Sequence, residues 1–250
     1  MEKALEEFLN QWKNKKYVLG ILLTGSYAVG LQTENSDIDI RIIFDKSKTK
    51  TLKGLTKINN YTFSYLGRNT DSIIRKLNSE FINRQKFEAY IFNIGKILYD
   101  RKNTTAELKH LAQTYASTPF LKKHHIKSEV KAGMYGLYNH KNHLINLDEN
   151  SPFFHYQYYM FMKKALSFYS SYLGFESFLD TKTEKVLYDT EYRQRYQWDD
   201  FPDKIFSEKW ITSIKIENIS KNSAIIIYHY LESKIEKINE ENFTIHWKEI

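Results

Sequence analysis

Two aspartates, two positions apart, are the residues of this chain best placed to do chemistry. Asp37 and Asp39 open an apolar run that is predicted to form a strand from 37 to 44. Successive side chains of a strand point to opposite faces, so the two carboxylates project from one face. Carboxylates that face the same way repel each other unless a cation lies between them, and magnesium commonly uses one or two carboxylates together with substrate phosphates. The pair therefore predicts a divalent-cation site.

A glycine–serine turn precedes this pair along the chain. An apolar run from 17 to 23, predicted to be a strand, leads to Gly25 and Ser26, and a short helix is predicted from 26 to 31. Gly25 permits close approach of the backbone to a ligand, and free amides at a helix start can hold phosphate oxygens. Phosphate binding beside metal-binding carboxylates is the layout that transfer from a nucleoside triphosphate requires.

Three features in this order resemble the active-site motif of the DNA polymerase β-type nucleotidyltransferase superfamily: Gly25-Ser26, Gly30 and the segment Ser36-Asp37-Ile38-Asp39. Gly30-Leu31 and Asp39-Ile40-Arg41 are further similar to the RlaP-type predicted nucleotidyltransferases associated with RNA repair. The resemblance covers about the first hundred residues. The alternative is a glycine-containing turn followed by a solvated edge strand with two acids. The combination of both motifs favours the nucleotidyltransferase interpretation.

The resemblance implies an α+β fold. A small mixed-sheet nucleotidyltransferase domain is expected over residues 1–103, followed by a mainly helical domain over residues 104–250 that binds the substrate or a partner. The helical periodicity of the second half agrees with this division.

The resemblance also implies a reaction. The expected enzyme is a metal-dependent nucleotidyltransferase that moves a nucleoside monophosphate from a nucleoside triphosphate (NTP) to RNA, a protein or a small hydroxylated molecule, with release of pyrophosphate. Asp37 and Asp39 are the expected catalytic residues and the ligands of Mg²⁺ or Mn²⁺.

The expected nucleotide-binding residues are Gly25, Ser26, Ser36 and Arg41. Arg41 lies two positions after Asp39 on the predicted strand, so the two side chains project from the same face. Arg41 therefore either contacts a phosphate or neutralises the carboxylates. Ser36 is better placed to cap or orient the backbone at the neighbouring aspartate than to touch the ligand.

One departure from the family pattern weakens the case for catalysis. These enzymes usually carry a third carboxylate on the strand that follows the aspartate pair, and here the predicted strand 61–66 contains no acid. Asp71, Glu88 or a carboxylate of the helical half could replace it. The alternative is a catalytically weak or inactive nucleotidyltransferase-fold protein that acts as a nucleotide-binding regulatory or interaction module.

Composition limits the remaining classes. The 250 residues include no cysteine, which excludes disulfides and thiolate metal sites. A net charge of +7 favours polyanionic partners, although 30 acidic residues balance most of the 37 basic ones. No signal-peptide pattern or membrane-length apolar stretch is visible, so a cytoplasmic location without a membrane partner is expected. The sequence does not predict an oligomeric state.

Three further segments are open to interpretation. Residues 45–57 are rich in lysine and threonine and are predicted to form a surface loop or flap. The aromatic stretch 153–161 is predicted to be a buried helix, with base stacking beside lysines as the alternative. Residues 185–198 combine tyrosines, arginines and a tryptophan, which favours an exposed recognition surface.

Overall fold

The structure, a computed structural model, describes residues 1–121 and 124–246. Five strands and the first helices occupy the N-terminal part, in the order α1 (Glu2–Trp12), β1 (Val18–Thr24), α2 (Gly25–Val29), β2 (Ile38–Phe44), β3 (Leu52–Ile58), β4 (Tyr61–Asn69), α3 (Thr70–Ile82), α4 (Phe87–Ile94) and β5 (Lys96–Asp100). Helices follow: α5 (Thr104–Ser117), α6 (Lys127–Asn146), α7 (Pro152–Leu173), α8 (Thr183–Leu187), α9 (Thr190–Tyr196), α10 (Lys204–Ser213) and α11 (Lys221–Lys234). The predicted α+β class is confirmed.

The chain forms two compact units. Unit 1 comprises Met1–Phe120 and Phe178–Asp199, and unit 2 comprises Leu121–Ser177 and Asp200–Ile250. Unit 1 extends past the predicted boundary at residue 103 because α5 is tied to the sheet: the Asp100 carboxylate at the end of β5 accepts hydrogen bonds from two amides of the first turn of α5. A functional role for residues 104–250 in binding a substrate or partner stays a prediction.

A five-stranded mixed sheet forms the centre of unit 1. Its order is β3-β4-β2-β1-β5, with β2 and β4 parallel and the other neighbouring pairs antiparallel. Alternation along β2 divides its side chains between two cores. Ile38, Ile40 and Ile42 belong to the core that contains α1 residues, whereas Ile43 belongs to the core built with α3, α4 and α5. The odd-numbered face of β2, which carries Asp39, is therefore the face opposite α1.

The predicted loop or flap at 45–57 is wrong over its second half. Leu52–Ile58 forms β3, an edge strand antiparallel to β4. Only Ile58 of this strand is buried, so the strand lacks the apolar alternation by which strands are recognised in a sequence. Leu52–Ile58 is a strand because it pairs with β4, and sequence periodicity does not encode this pairing.

Unit 2 is built from α6, α7, α10 and α11. The aromatic stretch of α7 supplies much of its core, since Phe154, Tyr158 and Phe161 are fully buried. The buried hydroxyl of Tyr158 donates a hydrogen bond to the Ser213 carbonyl at 2.7 Å, which avoids the cost of burying an unpaired polar group. Within the described residues, no helix has the length and apolar character needed to cross a membrane.

Candidate active site

Strand pairing brings the glycine turn and the aspartate pair together. Thr24, the last residue of β1, pairs with Asp39 on β2, and the Thr24 hydroxyl donates to the Asp39 carbonyl oxygen at 3.2 Å. Gly25 follows at once, so its backbone lies against the Asp39 side chain. Asp37 is exposed and directly precedes β2, whereas Asp39 is half-buried.

Gly25 is the only residue type that fits its position. Its φ of +64° lies in the left-handed region, and a Cβ built there would lie 2.9 Å from Asp39 Cγ and 3.0 Å from Asp39 Cβ. A side chain would need both a strained backbone and a displaced carboxylate. The glycine is therefore what allows the turn to approach Asp39.

Burial raises the pKa of Asp39, and the nearby negative charge of Asp37 raises it further. The positive charges of Arg41 and Lys182 act in the opposite direction without cancelling the effect. The protein alone thus disfavours a full negative charge on Asp39. A cation held by the two carboxylates would reverse this preference.

The donor set at this position fits a divalent cation of the magnesium type. Two carboxylates provide hard oxygen ligands, and magnesium takes its remaining ligands from phosphates and water. Within residues 1–121 and 124–246, no cluster of three or more histidine, cysteine or acidic side chains is arranged to hold a metal. The residues present therefore fit an ion that is completed by a nucleotide, not a closed protein cage.

The two predicted serines of the site have different surroundings. Ser26 lies half-buried in the first turn of α2, next to Gly25. The Ser36 hydroxyl accepts a hydrogen bond from the Thr33 amide at 2.9 Å and lies 3.1 Å from the Thr33 hydroxyl. Ser36 is thereby engaged in the turn that presents Asp37, which agrees with the expected orienting role.

Arg41 is held beside Asp39 by a buried counter-ion. Glu88 on α4 is 2% exposed; its Oε2 lies 3.9 Å from Arg41 Nη2 and its Oε1 lies 3.3 Å from Arg68 Nη1. The Glu88 amide in turn donates to the Glu80 carboxylate at 2.6 Å. One carboxylate thus lies near two guanidinium groups and offsets half of their charge, so Glu88 is engaged as their shared counter-ion.

β4, the strand that pairs with β2 on the side away from β1, carries no acid. Parallel pairing sets Ser64 of β4 directly beside Asp39. Asp71, the other acid considered from the sequence, lies in the first turn of α3, beyond the far end of β4, and forms an ion pair with Lys46 at 3.2 Å. β4 therefore supplies no third carboxylate beside Asp39, whereas Asp71 is paired with Lys46 and Glu88 with Arg41 and Arg68.

The structure brings two residues to Asp39 that the sequence did not place there. Lys182 and Tyr196, both in the Phe178–Asp199 part of unit 1, interact electrostatically with Asp39. Burial raises the pKa of Tyr196 to about 12, and the charge of Asp39 adds to this effect. Burial lowers the pKa of Lys182, as does the neighbouring charge of Lys185, whereas Asp39 opposes the shift.

Ring contacts fix this segment within unit 1. Trp198 lies 5.4 Å from Tyr90 of α4 between ring centroids, and the rings of Tyr192 and Tyr196 stack at 4.3 Å. Tyr192 is only 5% exposed. The predicted exposed recognition surface at 185–198 is therefore wrong for Tyr192, whereas Tyr196 and Trp198 are half-buried and Tyr188 is exposed.

Known proteins are similar to this chain, mainly over its N-terminal part. The nucleotidyltransferase-domain family model matches residues 1–101. A "Putative protein adenylyltransferase" of Methanocaldococcus jannaschii is 35% identical over 81 residues, which are 32% of this chain and 81% of the relative. A second protein of the same description and organism is 52% identical over 46 residues, which are 18% of this chain and 46% of that protein. A solved nucleotidyltransferase-like protein from Exiguobacterium sibiricum 255-15 aligns at a TM-score of 0.43 and 13% identity, over 94% of this chain and 75% of that chain.

The chain belongs to the nucleotidyltransferase-domain family, and through it to the DNA polymerase β-type superfamily. It is a nucleotidyltransferase, and its substrate is a nucleotide.

Proposed function

We propose that this protein transfers a nucleoside monophosphate, AMP in the first instance, from a nucleoside triphosphate to a hydroxyl group of a protein, with release of pyrophosphate. The observation that carries the proposal is the close approach of the Gly25 turn to Asp39, because a glycine turn at a helix start suits phosphate and a carboxylate suits a cation. The adenylyl group and the protein acceptor are proposed from the descriptions of the two archaeal relatives.

The transfer is a single displacement at the α-phosphorus. A bond forms between the acceptor oxygen and the α-phosphorus, the bond from that phosphorus to the bridging oxygen breaks, and its electron pair leaves with pyrophosphate. The acceptor proton passes to solvent. Asp37 and Asp39 would hold a divalent cation, which would supply positive charge that offsets the charge on the phosphate oxygens.

The protein's own residues position the donor. Gly25 and Ser26 offer backbone amides and a hydroxyl to the phosphates, and Ser36 fixes the turn that presents Asp37. Arg41 is tied to Glu88, so its charge acts on Asp39 from a fixed place. Holding the reacting groups in this way raises the rate of transfer, because positioning is the main contribution of the protein in phosphoryl-type transfers.

A second function is favoured by one observation: β4, which pairs with the strand of Asp39, carries no carboxylate that could deprotonate the acceptor. A protein with this site could bind nucleotide and cation with little turnover. It would then act as a nucleotide-dependent interaction module.

The test is incorporation of label from each α-phosphate-labelled triphosphate, with magnesium or manganese and a protein extract or total RNA as acceptor. The wild type should label protein, with ATP as the best donor. Asp37→Asn combined with Asp39→Asn should abolish labelling. This variant should fold, because burial already raises the pKa of Asp39 and so favours its neutral form.

Asp71→Asn is the matched control. It removes one carboxylate that forms an exposed ion pair with Lys46, and exposed pairs contribute at most about 1 kcal/mol. Its labelling should equal that of the wild type. Triphosphate binding in calorimetry without any labelled product would favour the binding module instead, and labelling by the double asparagine variant would refute the cation site.

A further inference from the structure

A basic and partly apolar surface lies on the same face of the sheet as Asp39. We propose that Lys53, Leu55 and Lys57 of β3, called here the β3 surface, dock the protein acceptor through an extended segment in which acidic side chains flank an apolar one. The inference rests on the proposed protein acceptor and assigns that acceptor a binding surface.

Strand register places the β3 surface on the active-site face. Asp39 pairs with Ser64 in the parallel pair, and Ser64 pairs with Leu55 in the antiparallel pair. Directly paired residues project from the same face of a sheet. Asp39, Ser64 and Leu55 thus form one row, which spans two strand spacings, or about 10 Å.

The two lysines flank this row. Lys53 pairs with Leu66 and Lys57 pairs with Thr62, on either side of the pair formed by Leu55 and Ser64. The Cα atoms of Lys53 and Lys57 lie about 13 Å apart at the usual rise of a strand. An extended chain that follows β3 would therefore meet a cation, an apolar side chain and a second cation in sequence.

The charges of this surface are not neutralised within the protein. Both lysines are exposed, and in the described part of the chain neither forms an ion pair. Residues 46–57 hold five lysines and no acidic residue. Exposed positive charge without a local partner attracts a partner of opposite charge and raises its association rate.

The apolar centre favours a protein over a nucleic acid. Leu55 is 67% exposed, although a large aliphatic side chain gains by burial. Single-stranded nucleic acids stack their bases on aromatic rings, and the rings of β4 that pair with β3, Tyr61, Phe63 and Tyr65, belong instead to the α1 core on the other face. A leucine between two lysines suits a protein segment with an apolar side chain between acids.

The backbone of β3 gives a second reason to expect an extended protein segment as the bound partner. β3 is the outermost strand on its side of the sheet. The outer edge of such a strand presents unpaired N–H and C=O groups, to which an extended peptide can add. Pairing along this edge would hold the acceptor segment in register with the row that leads to Asp39.

The test measures binding without nucleotide. Fluorescently labelled glutamate–tyrosine copolymer is titrated with the full-length protein at low salt and followed by anisotropy, and a labelled oligouridylate serves as the nucleic-acid arm. The wild type should bind the copolymer more tightly than the oligouridylate, and binding should weaken with salt. Lys53→Glu with Lys57→Glu should lower affinity about tenfold or more, because several exposed charge pairs are reversed together. Leu55→Ala should lower it a few-fold.

Two variants serve as controls. Lys3→Glu with Lys16→Glu makes the same change of charge on or beside α1, away from the active-site face, and should keep affinity within about twofold. Lys53→Gln with Lys57→Gln removes the charge without reversal and should give an intermediate loss.

Unchanged affinity in the Lys53→Glu/Lys57→Glu variant, or no binding by the wild type, would overturn the proposal. If the wild type binds the oligouridylate more tightly than the copolymer, and the Lys53→Glu/Lys57→Glu variant loses that binding, the surface would be assigned to nucleic acid instead. Copolymer binding through β3 without nucleotidyl transfer would refute the proposed function and leave the docking surface. Unchanged nucleotidyl transfer to protein in the Lys53→Glu/Lys57→Glu variant would support the proposed function and refute the β3 surface as the docking site.

Discussion

Replacing Gly25 by alanine should separate the chemistry of the site from the stability of the fold. The added methyl group would lie 2.9 Å from Asp39 Cγ and closer still to Oδ2. Nonbonded carbon atoms are at their optimum about 3.5–4.0 Å apart. The Asp39 carboxylate, or the turn itself, must therefore move by roughly 0.6–1 Å.

This displacement has a calculable effect. A misplacement of about 1 Å in a positioned catalytic group can cost about 100-fold in rate. An alanine at a φ of +64° also destabilises the fold by about 1–2 kcal/mol, since left-handed backbone strains any residue with a Cβ. We expect Gly25→Ala to lose about 100-fold in nucleotidyl transfer and to remain folded.

Gly30→Ala is the matched control. Gly30 also has a positive φ, of +79°, but a Cβ there would meet no atom within 4 Å. The same backbone strain should therefore lower its stability by about 1–2 kcal/mol without displacing Asp39. Transfer of labelled nucleotide and urea unfolding, measured on both variants, compare the two effects directly.

Equal activity in the two alanine variants would refute the reasoning. It would mean that strain alone, and not the position of the Asp39 carboxylate, controls the site. Full activity of Gly25→Ala would go further and exclude Asp39 as a residue that must approach the turn.

Two other changes test roles read from buried contacts. Glu88→Gln should lower the free energy of unfolding by about 2–4 kcal/mol and speed hydrogen exchange in α4, because Arg41 and Arg68 lose their counter-ion. Loss of nucleotidyl transfer at unchanged stability would instead identify Glu88 as a catalytic acid. In unit 2, Asp203 caps α10 and accepts hydrogen bonds from the hydroxyl of Tyr169 and a second tyrosine. Burial alone would raise its pKa, but these bonds lower the pKa overall. The stability they give is therefore present above the unfolded pKa of about 3.9 and is lost as the pH falls towards the folded pKa. Asp203→Asn should cost about 1–2 kcal/mol at pH 7 in urea unfolding, with a smaller difference at low pH.

Local features of the site could be predicted because they depend on neighbouring residues. Alternation along one strand assigned Ile38 and Ile40 to one face and the odd-numbered residues, Asp39 and Arg41, to the other, and the structure has this alternation. The glycine-containing turn between two apolar runs likewise required only local spacing. Whether Asp37 and Asp39 hold a cation stays a prediction.

Features that depend on distant pairing could not be predicted. β3 carries alternating lysines instead of alternating apolar residues, so its strand character comes from pairing with β4. The counter-ion role of Glu88 depends on how α4 packs against β2 and β4, and the sequence shows only an acid in a helix. Spacing along the chain does not encode either relation.

The electrostatics of Asp39 show why the family-like part of the chain is not the whole site. Arg41 lowers the pKa of Asp39 more than any other cation does, and it shares one counter-ion, Glu88, with Arg68. The other cation that acts on Asp39 is Lys182, which belongs to the returning segment Phe178–Asp199 and lies outside the matched residues 1–101. Nucleotide phosphates would bring further negative charge to the same place, and a cation already held nearby costs no reorganisation when they arrive. The residues that carry the motif thus define the kind of chemistry. The segment Phe178–Asp199 adds a further positive charge, Lys182, that acts on Asp39.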